Sequence, residues 1–174
     1  MKNPKPLVGV SQCLLGDAVR YDGQSKPNQV VIKQFSQLFE LVPVCPEVEA
    51  GLSIPRPPVQ LTGDIKNPEL IGRDDPAVDV TNIMQQYCDT KPAELKHLSG
   101  FIFKSRSPGC GLNSTPIFIN GQCVTETGRG VFARAIRDNY PDLPVIEDSD
   151  FDNALINDFI RSVKIYRRER AMNI

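Results

Sequence analysis

Residues 6–13 read Pro-Leu-Val-Gly-Val-Ser-Gln-Cys, and the reading of this stretch decides the fold. Leu7, Val8 and Val10 form an apolar run too short for a core helix, with Pro6 before it and Gly16 soon after, so it reads as a buried strand. Cys13 lies just past its carboxyl end. The arrangement recurs twice. Residues 40–44 (Glu-Leu-Val-Pro-Val) read as a second strand, although Pro43 weakens it, and Cys45 ends it. Residues 101–104 (Phe-Ile-Phe-Lys) read as a third, and the loop that follows, Ser-Arg-Ser-Pro-Gly-Cys-Gly at 105–111, carries Cys110.

Helical patterns separate these strands. Val30, Val31, Phe35, Leu38 and Phe39 recur at helical spacing within 28–39. Residues 79–98 are mostly helical, with a break or kink expected at Pro92. A helix begins at 131–137, residues 144–146 form a fourth core strand, and 151–172 alternate apolar and charged residues as a closing helix. Residues 59–61 and 69–71 suit a small hairpin about Asn67-Pro68, and Asn120-Gly121 is a strong hairpin turn between 117–119 and 124–125. Residues 51–58 must be irregular, because three prolines forbid regular pairing. Strands alternating with helices predict an α/β fold: a mainly parallel sheet with helices on both faces, plus a small β-hairpin. With 174 residues the chain suits a single domain spanning 1–174.

The formal net charge is −1, so nothing global attracts nucleic acid or an acidic membrane. No apolar segment approaches the roughly 20 residues of a membrane helix, and the N-terminus lacks the apolar core of a signal peptide. A cytoplasmic protein is expected. Five cysteines, an odd number without a leader, argue against a disulfide framework. Metal ligand, nucleophile and small buried apolar residue remain as roles.

If the three strands are parallel, Cys13, Cys45 and Cys110 emerge at one sheet edge, where open α/β sheets bind ligands. Each sits among glycines and prolines, which let backbone wrap a compact object. Cys88, within a helical pattern, and Cys123, beside a hairpin turn, read as structural. Structural zinc prefers four ligands with Cys-x-x-Cys knuckles, which are absent, and zinc catalytic sites favour histidine, of which there is one, His97. An iron–sulfur cube takes four thiolates, and with three it keeps one iron open as a Lewis acid. Spacing alone leaves two readings: three thiols around one cluster, or three buried cysteines that never meet.

Three motifs in order add to this. Ser11-Gln12-Cys13-Leu14-Leu15-Gly16 with Arg20-Tyr21-Asp22-Gly23, then Cys45-Pro46-Glu47 leading to Gly51-Leu52 and Pro55-Arg56, then residues 105–111, together resemble the bacterial family that includes 2-thiouracil desulfidase. The resemblance runs from Val8 to about Ile146. It implies an α/β domain with a [4Fe-4S] cluster on Cys13, Cys45 and Cys110 and one iron lacking a protein ligand. It also implies that Glu47, two residues past the second cysteine, and Ser107, three before the third, assist catalysis. Two positions depart from the family pattern: Gly109 stands where a serine precedes the third cysteine, and Ala50-Gly51 replaces paired glycines.

The chemistry implied is a non-redox desulfidase acting on a thiolated small molecule, a thiopyrimidine such as 2-thiouracil. A thiocarbonyl sulfur is soft and suits an exposed iron, and Glu47 suits a general base. Ser107 either bonds the substrate ring or closes its own turn. Ser11, Arg56 and Arg106 are candidate substrate-binding residues, with Ser11 alternatively ending its strand and the arginines, with Arg20, alternatively balancing cluster charge. Asp22 fits a turn role. The competing function is a non-catalytic iron–sulfur sensor or sulfur-handling partner, for which Glu47 and Ser107 would be dispensable. The Thr-Gly-Arg-Gly stretch at 127–130 lacks the ending of a phosphate-binding loop and acquires no role from sequence.

Overall fold

The computed structural model describes residues 2–173. Its strands are β1 (Leu7–Ser11), β2 (Glu40–Val44), β3 (Val59–Thr62), β4 (Glu69–Gly72), β5 (Phe101–Phe103), β6 (Thr115–Ile119), β7 (Gln122–Gly128) and β8 (Val145–Glu147). Its α-helices are α1 (Ser36–Leu38), α2 (Pro46–Glu49), α3 (Thr81–Glu94), α4 (Val131–Asn139) and α5 (Asn153–Met172).

The apolar runs found in the sequence assemble into one sheet of order β2-β1-β5-β8, and every pairing in it is parallel. Pro43 fits because β2 is an edge strand, where a missing N–H need not break a ladder on both sides. The chain runs outward from β1 to β2 and later returns past β1 to β5. That reversal opens a crevice at the carboxyl ends of these three strands. Val8, Val10, Ile102 and Ile146 pack on one face with Phe35, Phe39, Phe159 and Val163, which come from the segment after β1 and from α5. Phe101 and Phe103 point to the other face, stacked at 4.3 Å, and meet Phe132 and Ile136 of α4 and Leu95 beyond α3. Helices therefore cover both faces, as the alternation of strands and helices predicts.

The hairpins go further than expected. β3 and β4 pair antiparallel, as do β6 and β7, and a parallel pairing of Leu61 with Ile117 and Thr62 with Phe118 joins them. The result is a second, mixed sheet of order β4-β3-β6-β7, which joins the two predicted hairpins into one layer. Its buried face holds Leu61, Leu70 and Ile117 against Met84 of α3.

Two helices also differ from expectation. The segment at 28–39 begins as a π-helix, Val30–Phe35, before becoming α1, with the Asn28 side chain accepting from the N–H groups of Val30 and Val31. α3 runs through Pro92 and stops at Glu94 rather than near Leu98, since a proline so close to the end removes a donor where few hydrogen bonds remain to lose. α5 starts at Asp152, whose carboxylate accepts from Leu155 N–H at 2.8 Å. No described helix is long and apolar enough to cross a membrane.

Candidate functional site

The crevice is a cavity of about 500 Å³, and Cys13, Cys45 and Cys110 all line it. Each thiol is delivered by a different strand end. Cys13 lies in a short 3₁₀ turn, Gln12–Leu15, directly after β1. Cys45 follows β2 and precedes α2, and its N–H donates to a Glu49 carboxylate oxygen at 2.9 Å. Cys110 sits in the loop after β5. There the Ser107 hydroxyl oxygen accepts from Gly109 and Cys110 N–H at 3.2 and 3.1 Å, and Gly111 N–H closes the turn on Ser107 C=O at 2.8 Å.

The rest of the Cys110 loop is held from two sides. Val131 N–H donates to Pro108 C=O at 2.9 Å, while Phe132 and Ala133 N–H both reach Gly109 C=O at 3.0 Å. The first turn of α4 thus spends its otherwise unpaired donors on this loop. Gly130 must be glycine here, because a Cβ would lie 2.5 Å from the Gly109 carbonyl. Gly130, in the stretch without a role from sequence, therefore belongs to the site's support. On the other side, the buried Glu147 accepts from Leu112 N–H and from the Ser114 hydroxyl, both at 2.8 Å. Arg106, within the loop, adopts a left-handed φ of 63°, with its N–H on the Ser114 hydroxyl.

All three thiols are nearly covered, at 9, 9 and 5% exposure for Cys13, Cys45 and Cys110. Burial pushes the Cys13 thiol up to about 11, against the pull of Lys104 and Arg20. Burial likewise raises Cys45, opposed by the backbone N–H groups of Val48 and Glu47. Burial raises Cys110 too, opposed by a hydrogen bond from Ser11. Six cations line the cavity (Arg20, Lys26, Arg56, Arg73, Lys104 and Arg106) against one carboxylate, Glu47, in a chain whose net charge is −1. So local a concentration of positive charge suits anionic contents.

The donor set narrows what those contents are. A single tetrahedral ion about 2.3 Å from each thiolate would draw the sulfurs to within roughly 3.8 Å of one another. Among the described residues no three His, Cys, Asp or Glu side chains form a single-ion site. The three thiols line one cavity of about 500 Å³, and soft thiolates with cations around them fit an iron–sulfur cluster. The Nε of Arg20, a residue lining this cavity, is buried without a hydrogen-bond partner among the described residues, as expected where a further acceptor belongs.

The other candidates are brought to the same cavity in distinct roles. Glu47 stands at its wall, and Arg56 holds one of its oxygens, Oε2, through Nη2 at 2.6 Å and Nε at 3.2 Å. Arg56 also donates to Ser53 and Val19 carbonyls, and its side chain is only 5% exposed. Nearly all its donors are occupied by the protein, two of them by Glu47. Ser11 is buried, and its hydroxyl accepts from Lys104 N–H at 2.9 Å and donates to Cys110. Ser107 closes its own turn and keeps its hydroxyl hydrogen available. Asp22 takes its turn role, accepting from Gln24 N–H. Cys88 is buried and does not line the cavity, whereas Cys123 is exposed, with its thiol on Thr125 C=O at 3.3 Å.

Three supporting groups had no sequence signal strong enough to single them out: Glu49, Lys104 with its ion-pair partner Asp148 at 3.4 Å, and Glu147. Glu49, four residues past Cys45, and Lys104, just before the loop at 105–111, lay beside motifs without standing out in them. The loop at 51–58 hides the Arg56–Glu47 pairing from sequence, because its path cannot be read from a pattern.

Comparison with known proteins agrees with this arrangement. The chain is 29% identical over 139 residues to the uncharacterized protein YbbK of Bacillus subtilis (strain 168), a match covering 75% of this chain and 89% of that one. The solved structure of the [4Fe-4S]-dependent thiouracil desulfidase TudS superposes with a TM-score of 0.64 at 28% identity, covering 86% of this chain and 93% of TudS. The family model for 2-thiouracil desulfurase matches residues 8–148, a span that includes all three cysteines, Glu47, Ser107 and Glu147, and the chain belongs to that family.

Proposed function

We propose that this protein is a desulfidase that removes sulfur from a thiolated small molecule, a thiopyrimidine such as 2-thiouracil. In this reading Cys13, Cys45 and Cys110 hold a [4Fe-4S] cluster with one iron free of protein ligands. The observation that carries it is the meeting of three buried thiols, from three parallel strand ends, in one cation-lined cavity with a carboxylate at its wall. When bound, the cluster supplies a thiophilic Lewis acid.

The chain's own residues supply the rest. Arg56 takes Oε2 of Glu47, which leaves Oε1 as the oxygen without a protein hydrogen bond among the described residues. That oxygen can accept a proton from water as the water attacks the thiocarbonyl carbon. The carbon gains the water oxygen, the C–S bond breaks, and sulfur leaves as hydrosulfide with no net oxidation. The Ser107 hydroxyl, fixed by its two backbone donors, can donate to a ring oxygen or nitrogen. The cations lining the cavity favour the thiolate form of the base. Tyr21 and Pro58, which line the cavity with them, give a planar ring apolar surface to lie against.

The test is anaerobic reconstitution followed by incubation with 2-thiouracil. Expected are about four irons per chain, broad visible absorption, and equal release of uracil and sulfide. Glu47→Gln should keep the iron and slow turnover by about a hundredfold or more. A reconstituted protein free of iron would refute the proposal, while full iron without turnover on a panel of thiobases would favour the sensor reading.

A further inference from the structure

Glu49 is tied to Cys45 twice. Its N–H donates to Cys45 C=O at 2.9 Å, and its carboxylate Oε2 accepts Cys45 N–H at 2.9 Å. The other oxygen, Oε1, receives Lys91 Nζ of α3 at 2.7 Å. Lys91 reaches Glu94 in turn at 3.3 Å, but Glu94 is exposed and touches nothing else of the site. The second cysteine is thus fixed through a carboxylate to α3, which packs beside α2. Among the described residues no comparable ionic tether holds Cys13. The N–H of Cys45 also ends on a full negative charge, a stronger acceptor than a carbonyl.

We infer that Glu49 is a positioning residue for the ligand Cys45, and that Glu49 and Lys91 together set the reduction potential of the cluster. The inference rests on the cluster reading above. An iron–sulfur potential follows the net charge and hydrogen bonding around the ligands, and partners behind a ligand also govern metal retention. Glu49 adds a negative charge at the backbone N–H of the ligand residue, and Lys91 offsets it. Removing the anion therefore favours the reduced cluster, and removing the cation disfavours it.

The two roles separate experimentally. In the apo chain, Glu49→Ala should abolish hydrogen-exchange protection of the Cys45 amide, while Glu49→Gln, whose amide oxygen still accepts, should keep it. In the reconstituted protein, Glu49→Ala should release iron to a chelator roughly tenfold faster or more. Glu49→Gln should retain iron as the unsubstituted protein does and shift its midpoint potential positive. Lys91→Met should shift it negative, and Glu94→Ala should leave it in place. A merely structural role would move the two potentials together or not at all, and either result overturns the electrostatic part. Unchanged iron release and unchanged amide protection in Glu49→Ala overturn the positioning part. If the unsubstituted protein takes up no iron, the cluster reading itself fails, while the apo amide measurement still decides the tether.

Discussion

Replacing Gly130 with alanine tests how the third ligand is held. The backbone at Gly130 has φ −62° and ψ 152°, values that any residue adopts, so conformation does not oppose the change. Space does. The new Cβ would lie 2.5 Å from both C and O of Gly109 and 2.8 Å from Cys110 N. Ordinary contact begins at 3.4 Å, and all three atoms are backbone, so none can rotate away. Opening the gap stretches the bonds from Gly130, Val131, Phe132 and Ala133 N–H to the loop, now 2.7–3.0 Å long. At about 1 kcal/mol for each, losing most of them costs about 2–4 kcal/mol, less the few tenths gained from a stiffer unfolded chain. For a chain of this size that lowers Tm by roughly 6–12 °C. Thermal unfolding of the apo variant reads the cost, and iron content after reconstitution reads the misplaced Cys110. Gly109→Ala is the control, since its Cβ would meet Pro46 at an ordinary 3.8 Å. A Gly130→Ala protein melting within about 2 °C of the parent, with a full complement of iron, would refute the reasoning.

Other changes separate ligands from bystanders. Cys13→Ser, Cys45→Ser and Cys110→Ser should each prevent stable iron loading. Cys88→Ala should load fully and lose about 1 kcal/mol of stability by urea unfolding, and Cys123→Ala, at an exposed position, should change neither. Glu147→Ala strands the Leu112 N–H and the Ser114 hydroxyl in a buried setting and should destabilise the apo chain by about 1–3 kcal/mol, read by the same unfolding curves. Because burial raises the Cys13 thiol from 9.0 to about 11, it is protonated at pH 8 and gains nucleophilic character only as pH climbs toward that value. Alkylation of the apo chain followed by peptide mass analysis should therefore label Cys123 at pH 8 and Cys13 only in more alkaline solution; labelling of Cys13 first would overturn that order.

The parallel sheet was legible because its strands are short apolar runs bounded by glycine and proline, and the convergence of three cysteines on one crevice because each stands at the same place relative to such a run. What the sequence hid depends on contacts across long separations. Leu61 pairs with Ile117 through a parallel register that no local pattern encodes, so two foreseen hairpins did not reveal the sheet they form. Arg56 looked like a substrate anchor because it stands in a motif, yet its side chain turns inward to Glu47. Ser107 was readable both ways, and the structure shows the turn while leaving its proton free. Glu147 ends β8 at the head of a run of acids with nothing to single it out, and only folding brings it to residues 112–114.

The dependence of the Cys110 loop on Gly130 and Glu147 also orders events during synthesis. Cys13 and Cys45 leave the ribosome early, and Cys110 follows, but the residues that shape its loop emerge only afterwards. A nascent chain stopped before them presents thiols without a three-sided socket. On the cluster reading proposed above, a nascent chain that has not yet reached Gly130 and Glu147 has no formed place to capture iron.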